Sequence, residues 1–585
     1  MKNRGDIVFP LLFGLLMLFL FSFMTQEHLH PFKMTALNGS FEKVKMPSLT
    51  LDSYKNGYYQ KASEKYVSNH FGFREPIIRL YNQYCWDFYR KTYVSYTFAG
   101  RDNWLFYAHN IENYYGTEMY HWFEDAESAR QSYEREVRLM NKVRGVLQDY
   151  DVTLLTFIAP SKADIYPEYL PRRDFDTTTL NAREYYAKRF KETGLPCFEM
   201  TDYFLQMKDT CTFSVFPPTG DHWNFSCVYA TDSLMRFMEG QRGIRMPRIE
   251  YGKEYLSTCR IGDDKNHDLE LELNLMRPIR IRPEFSYKER DYQVVTDSLT
   301  TKPTALFIGN SFLLWMMEYI PPQDLFSDFN FWYYNKRAYQ GLEQVVDSVS
   351  HLNRLEVLLD ADYIVWFSSA SQMYRATEGF AEDAIIQLCI GEERFRQRQN
   401  EVIDSLFNDK STRNRIAWNY PDSLYREKLK SYTKNLLKKD PEAYFPEIAD
   451  ESIPEVRNPL LLNNDYVSRC AIRRQIKRDP KWMRAIAIDM ALENLTVQQV
   501  IDNEVDNVVK GLPILRDTHF GAKEYKDLLV VKMEEKIRRD ANWLKLVKTD
   551  AEKKGVSLEE NIHSHALYTV NTQIANGEVK LPDNE

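Results

Sequence analysis

The chain of 585 residues has no CxxC pair and no Cys/His spacing of the kind that holds zinc. Its seven cysteines (85, 197, 211, 227, 259, 389 and 470) are scattered and odd in number. A zinc module is therefore excluded, and no metal or cofactor is expected. Outside the cytoplasm Cys197, Cys211 and Cys227 could pair, but buried free thiols are the expected state for most of the seven. There is no excess of basic charge: the net charge of −8 and pI near 5.9 argue against nonspecific nucleic-acid binding, which needs a basic face. Glycine and proline are ordinary, so collagen-like and low-complexity classes do not apply. Long apolar runs are also scarce. One spans Ile7 to Met24, and no second follows.

That single run follows Lys2 and Arg4 and carries no charge. Its length is near the lower limit for crossing the hydrocarbon core, and no small-x-small cleavage site follows. An uncleaved anchor over residues 1–26 is expected. The basic flank stays cytoplasmic and the body lies outside, which in a two-membrane cell means an inner-membrane protein with a periplasmic body. A cleaved signal peptide is the alternative. The 44% apolar content is enough for real cores, and the length suggests about two to four domains.

Residues 27–60 read as a stalk. Residues 61–93 read as helical, with Tyr66, Phe71, Phe73, Ile77, Leu80, Tyr81, Tyr84 and Phe88 at three- and four-residue spacings. From 95 to 375, apolar runs alternate with amphipathic helices. Val152–Ile158, Thr304–Ile308 and Tyr363–Phe367 have the continuous apolar character of strands buried on both faces. Helices are expected over 125–148 and 180–193. The pattern predicts an α/β domain with a mostly parallel sheet, whose ligand site lies beyond the carboxyl ends of the strands. After 376 strand signals vanish and charge rises. Ile476-Lys477-Arg478-Asp479-Pro480-Lys481-Trp482 aligns with Ile537-Arg538-Arg539-Asp540-Ala541-Asn542-Trp543, and Leu437 to Pro441 is a poorer copy. Basic residues close one helix and Asp caps the next. Residues 376–585 are expected to form an all-α bundle or helix-pair repeat, with Trp482 and Trp543 as packing residues.

Two residues stand where chemistry is expected. Ser311 follows a buried strand directly, within Gly309-Asn310-Ser311-Phe312, at a turn whose amides can stabilise an oxyanion. His222 sits beside Trp223 in a Pro/Gly-rich loop, and Asp221 is the nearest acid in sequence to orient its ring. Gly309, Asn310, Lys162 (in Pro160-Ser161-Lys162 at a strand end) and Trp223 are candidates to line the oxyanion or substrate, as are, at best, Ser368 and Ser369. Tyr166 to Pro171 reads as a structural loop.

Several landmarks fall in order: the end of a helix near Phe73-Arg74, Gly100 through Phe106, Pro160-Ser161-Lys162 with Tyr166 to Pro171, Asp221-His222-Trp223, and Gly309 to Phe312. Together they resemble the alginate O-acetylation proteins of the AlgX/AlgJ type, an SGNH hydrolase-like family, over roughly 60–375. The resemblance implies a three-layer α/β domain, with His222 as base and Ser311 as nucleophile. It implies an extracytoplasmic O-acetyltransferase acting on a polysaccharide, supplied by a membrane-bound O-acyltransferase. A carbohydrate esterase and a degenerate scaffold are the alternatives. Two positions depart from the pattern. The family's acid, two residues before the histidine, is Gly220 here, and its Asp before the nucleophile is Asn310.

Overall fold

The structure, a computed structural model, describes residues 5–39, 44–117, 122–171, 181–211, 213–256, 264–281, 288–340, 343–346, 348–375, 377–417, 421–449, 457–493, 495–518 and 522–576. Its centre is a seven-stranded sheet of β1 (Thr153–Ala159), β2 (Cys197–Glu199), β3 (Thr304–Gly309), β4 (Asp328–Tyr333), β5 (Arg337–Gln340), β6 (Glu343–Val346) and β7 (Tyr363–Ser369). The spatial order is β6-β5-β4-β3-β7-β1-β2, and the five strands from β4 to β2 run parallel. All three strands expected from the apolar runs are present as β1, β3 and β7.

The sheet is buried on both faces, and side-chain alternation divides its residues between two cores. Leu154, Ile158, Leu306, Ile308, Ile364 and Trp366 face one. Leu155, Phe157, Ala305, Phe307, Val365 and Phe367 face the other. The helices that cover these faces complete the three layers expected. Two short antiparallel pairs lie outside the sheet, Thr97–Ala99 with Leu105–Tyr107, and Arg248–Leu256 with Lys288–Val295.

Helix α1 (Gly5–Leu29) has mean hydropathy 1.9 over Phe9–Leu29 and, among the described residues, is the one helix long and apolar enough to cross a membrane. The expected helical lead-in is interrupted. One helix ends at Asn69, and α2 (Arg74–Tyr89) begins rather than ends near Phe73-Arg74. At the break Gly72 lies against α1, where a Cβ would come to 2.2 Å from the Phe23 carbonyl oxygen. The sheet layers include α3 (Ala126–Gln148), capped by Asp125, and α4 (Ser226–Arg242). Two shorter helices carry site residues: α5 (Asp264–Glu272) and α6 (Ser311–Tyr319).

Past residue 376 the described residues are helices and loops, as expected, yet the core on the first sheet face continues through Phe380, Ile386, Leu437 and Cys470. Beyond it come α7 (Asn464–Arg478), α8 (Pro480–Glu493) and α9 (Val497–Lys510), then α10 (Ala522–Arg539), α11 (Ala541–Lys554) and α12 (Leu558–Ala575). Of the two forms expected, a bundle or a helix-pair repeat, the pair is not what forms: the aligned sequences make units of three helices. Matching positions fill matching cores: Ile476, Ile486, Ile501 and Val505 in one unit, Ile537, Val547, Ile562 and Ala566 in the next. Asp479 and Asp540 accept hydrogen bonds from the Trp482 and Trp543 amides, which is the helix punctuation anticipated. Cys85, Cys197, Cys211, Cys227, Cys389 and Cys470 are all free thiols, so the suggested pairing among Cys197, Cys211 and Cys227 is not made; Cys259 lies outside the described residues.

Candidate active site

The site lies at the carboxyl ends of the parallel strands. Strand β3 stops at Gly309, where a Cβ would press to 3.1 Å on the backbone and Cβ of Phe367 in neighbouring β7. Asn310 then caps α6. Its Oδ1 accepts from the Phe312 amide at 3.1 Å, and its Nδ2 donates to Ser369 Oγ at 3.0 Å and Gln372 Oε1 at 3.3 Å. Asn310 is buried and its amide is spent on these partners, so it holds the turn in shape and does not line a ligand site as anticipated. Ser311 is the first residue of the helix.

Across from it, the His222 loop is fixed from below by Lys162. That side chain is fully buried, and its Nζ donates to the carbonyls of Leu105, Pro218 and Gly220 at 2.7, 2.8 and 2.7 Å. The rings of Trp104 and Phe106 flank the ammonium. Burial pushes its pKa down to about 7, against the opposing pull of Asp221 and Asp268. Lys162 thus corrects the expectation of a substrate contact, since all three of its donors face loop carbonyls inside the protein. Trp223 is corrected likewise: it has no exposed surface, and its indole N–H donates to the Phe312 carbonyl at 3.1 Å, pinning the loop to α6. Ser368 and Ser369 are also buried.

These supports bring His222 Nε2 to 2.8 Å from Ser311 Oγ. The other ring nitrogen, Nδ1, lies 2.6 Å from Asp268 Oδ2. A carboxylate on Nδ1 holds the proton there and leaves Nε2 to accept from the serine hydroxyl. The His222 and Asp268 side chains are 13% and 21% exposed, so the contact is shielded from water without being sealed. Burial opposes the imidazolium, but the charge and hydrogen bond of Asp268, with Asp221 behind, more than offset it; the His222 pKa is raised above the ordinary imidazole value.

Asp221 does not orient the ring. Its carboxylate accepts from the Asn110 side chain, and its own amide donates to Asp268 Oδ1 at 2.8 Å. The Asp221 side chain turns inward to Asn110 while His222 faces Ser311. Burial raises its pKa. The acid that sequence reasoning missed, Asp268, sits on α5, separated from His222 by 46 positions. Gly220 was its one signal. A Cβ at Gly220 would lie 2.8 Å from Asp268 Oδ1 and 2.8 Å from Pro217 Cγ. The position that departs from the resembled pattern is therefore a space into which the Asp268 carboxylate fits. One turn along α5, Glu272 accepts from the Tyr107 hydroxyl at 3.0 and 3.1 Å, and burial raises its pKa.

A serine, an imidazole and a carboxylate in series, at the carboxyl edge of a three-layer α/β sheet, are the parts of a serine acyl-transfer site. Residues 97–313 match the family described as SGNH hydrolase-like domain, acetyltransferase AlgX. Solved structures similar to the chain include the O-acetyltransferase domain of Pseudomonas putida AlgJ, with 15% identity, 48% of this chain and 92% of that one covered, and a TM-score of 0.31. Pseudomonas aeruginosa AlgX shows 14% identity over 49% and 65%, with a TM-score of 0.28. Bacillus cereus PatB1 shows 12% over 42% and 92%, with a TM-score of 0.26. A sequence comparison with curated proteins gives no match.

Proposed function

We propose that the chain is an extracytoplasmic O-acetyltransferase that modifies a polysaccharide through an acyl-enzyme on Ser311. The observation that carries this reading is the unbroken series Asp268 Oδ2, His222 Nδ1, His222 Nε2, Ser311 Oγ, with contacts of 2.6 and 2.8 Å. His222 Nε2 takes the hydroxyl proton as Ser311 Oγ bonds to the acyl carbon. The imidazolium then returns that proton to the donor's leaving group. A sugar hydroxyl then enters and gives its proton to His222 as its oxygen bonds to the acyl carbon; the Ser311 Oγ–acyl bond breaks, the imidazolium returns the proton to Ser311 Oγ, and the acetylated sugar leaves. Asp268 holds the ring and balances the charge it gains. The Ser311 amide, at the start of α6, serves as a backbone donor to the oxyanion, whereas the Phe312 amide is already bonded to Asn310.

The family match over 97–313 supports acetyl transfer, and AlgX-type function supports a polysaccharide acceptor. Helix α1 supports anchoring at the inner membrane with the body in the periplasm. Acetyl donors of the cytoplasm do not reach that side, so the reading includes a membrane-bound O-acyltransferase partner that delivers acyl groups.

The test uses the full chain in detergent with a chromogenic acetyl ester and a serine-directed fluorophosphonate. Wild-type protein should release the chromophore and label at Ser311, and Ser311→Ala should do neither. Unchanged turnover in Ser311→Ala would remove the serine from the mechanism. Product analysis with and without oligosaccharide separates transfer from hydrolysis by water.

A further inference from the structure

The imidazole of His222 is held at its two nitrogens by Asp268 and Ser311, and its faces are held as well. Phe312 lies with its ring centroid 5.0 Å away at 46°. Trp315 stacks on it at 5.1 Å and 24°. Trp315 is four residues after Ser311 on α6, so the two side chains share one face of the helix. Phe312 is buried in the core, and its position is set by packing with Trp223 and Phe216. Trp315 is only partly buried at the margin of that core. Of the two rings, it is the one nearly parallel to the imidazole.

We propose that Trp315 is a positioning residue that stabilises the imidazolium form of His222 and keeps Nε2 directed at Ser311. The inference rests on the acyl-enzyme reading for its functional consequence but not for its physical content. An indole face presents negative charge density to a cation stacked upon it and attracts imidazolium more than neutral imidazole. It also blocks rotation of the ring about its long axis, which would draw Nε2 away from the hydroxyl. The other charges around the ring are Asp268 and Glu272 from α5, Asp221 from the His222 loop, and Lys162 beneath that loop. Three of those four are carboxylates that favour the same protonation state, so the indole adds to their pull and is not its sole source.

The sign follows directly. Acylation needs neutral His222 in the free enzyme and forms imidazolium in the transition state. Without the indole, the imidazole should titrate at lower pH and the acylation rate should fall. A cation–π contact of ordinary strength corresponds to about a two- to five-fold change, or roughly half a pH unit.

The experiment titrates the ring directly. In full-length protein carrying isotope-labelled histidine, the His222 resonance, assigned by its loss in His222→Gln, is followed by NMR against pH. Trp315→Leu should lower the His222 midpoint by roughly half a unit and Trp315→Phe should recover most of it. In parallel, the ester-acylation rate of Trp315→Leu should fall about two- to five-fold with an unchanged KM. Its acidic limb should move with the NMR midpoint. An unmoved His222 midpoint in Trp315→Leu would overturn the proposal, and so would a rise in KM with an unmoved pH profile, which marks a wall of the binding site instead. The NMR arm does not depend on activity. Should Ser311→Ala prove indistinguishable from wild type, the acyl-enzyme reading fails while the titration still decides the role of Trp315.

Discussion

The two ends of the parallel sheet both bury carboxylates, and they use them in opposite ways. At the amino end, Asp328, Asp360 and Asp362 lie at or just before the starts of β4 and β7, and helix α7 lays Arg473, Lys477 and Arg478 against them. Lys477 Nζ is 3.1 Å from Asp328 and 3.0 Å from Asp360, Arg473 reaches Asp360 at 3.6 Å, and Arg478 binds Asp362. Arg474 donates to the carbonyls of Tyr150 and Asp151 nearby. Burial alone would disfavour the Lys477 ammonium, but Asp328 and Asp360 more than offset it and raise its pKa. Every charge there has an opposite partner, and what results is a fastener between the sheet and the helical units. At the carboxyl end the carboxylates outnumber the cations, and the principal partner of Asp268 is an imidazole that can change its charge. Buried charge alone therefore does not mark a catalytic site. What sets the carboxyl end apart is a titratable ring held between a carboxylate on one nitrogen and a serine hydroxyl on the other.

The comparison predicts losses of different kinds at the two ends. At the carboxyl end, Ser311→Ala or His222→Ala should cut ester turnover by about a thousand-fold or more with little change in Tm. Gly220→Ala should cost less, about ten-fold, because its Cβ displaces the Asp268 carboxylate without removing it. Comparing kcat with Tm for this variant separates misplacement from unfolding. At the amino end, Lys477→Met should do the reverse. It leaves Asp328 and Asp360 short of a cation and should destabilise the fold by about 3 kcal/mol, seen in denaturant melts, while turnover per folded molecule stays near wild type. The smallest effect is in pH. The raised His222 pKa places the acidic limb of kcat/KM above the ordinary imidazole value of about 6.5, with activity lost as pH falls through that limb. Asp268→Asn removes the main cause of the raise and should move the limb to lower pH.

The sequence made one half of this picture legible. Ser311 follows an apolar strand and His222 stands in a Pro/Gly-rich loop, and both are local signals. The three buried strands read correctly because a sheet covered on both faces leaves unbroken apolar runs. Asp268 left no such trace. It lies in a charged stretch, Asp264–Glu272, where one carboxylate looks like the next, and only the fold brings it to His222. The glycine at 220 was a visible departure, but its meaning depends on what occupies the vacated space. Lys162 was misjudged because lysines are seldom fully buried, and nothing local shows that three carbonyls converge on its ammonium. In the helical region the first boundary of each unit was announced by Asp479 and Asp540. The second is set by capping boxes at Thr496 with Gln499 and Ser557 with Glu560, a spacing present in the sequence that would have given three helices per unit.

Which carboxylate serves His222 is measured most directly by the rate at which Ser311 becomes acetylated. With full-length protein, an activated acetyl ester and mass spectrometry of the Ser311 peptide, Asp268→Asn should slow acetylation by about a hundred-fold or more, and Asp221→Asn should leave it within a few-fold of wild type. The reverse order, or acetylation in Asp268→Asn as fast as in wild type, would contradict the series Asp268–His222–Ser311.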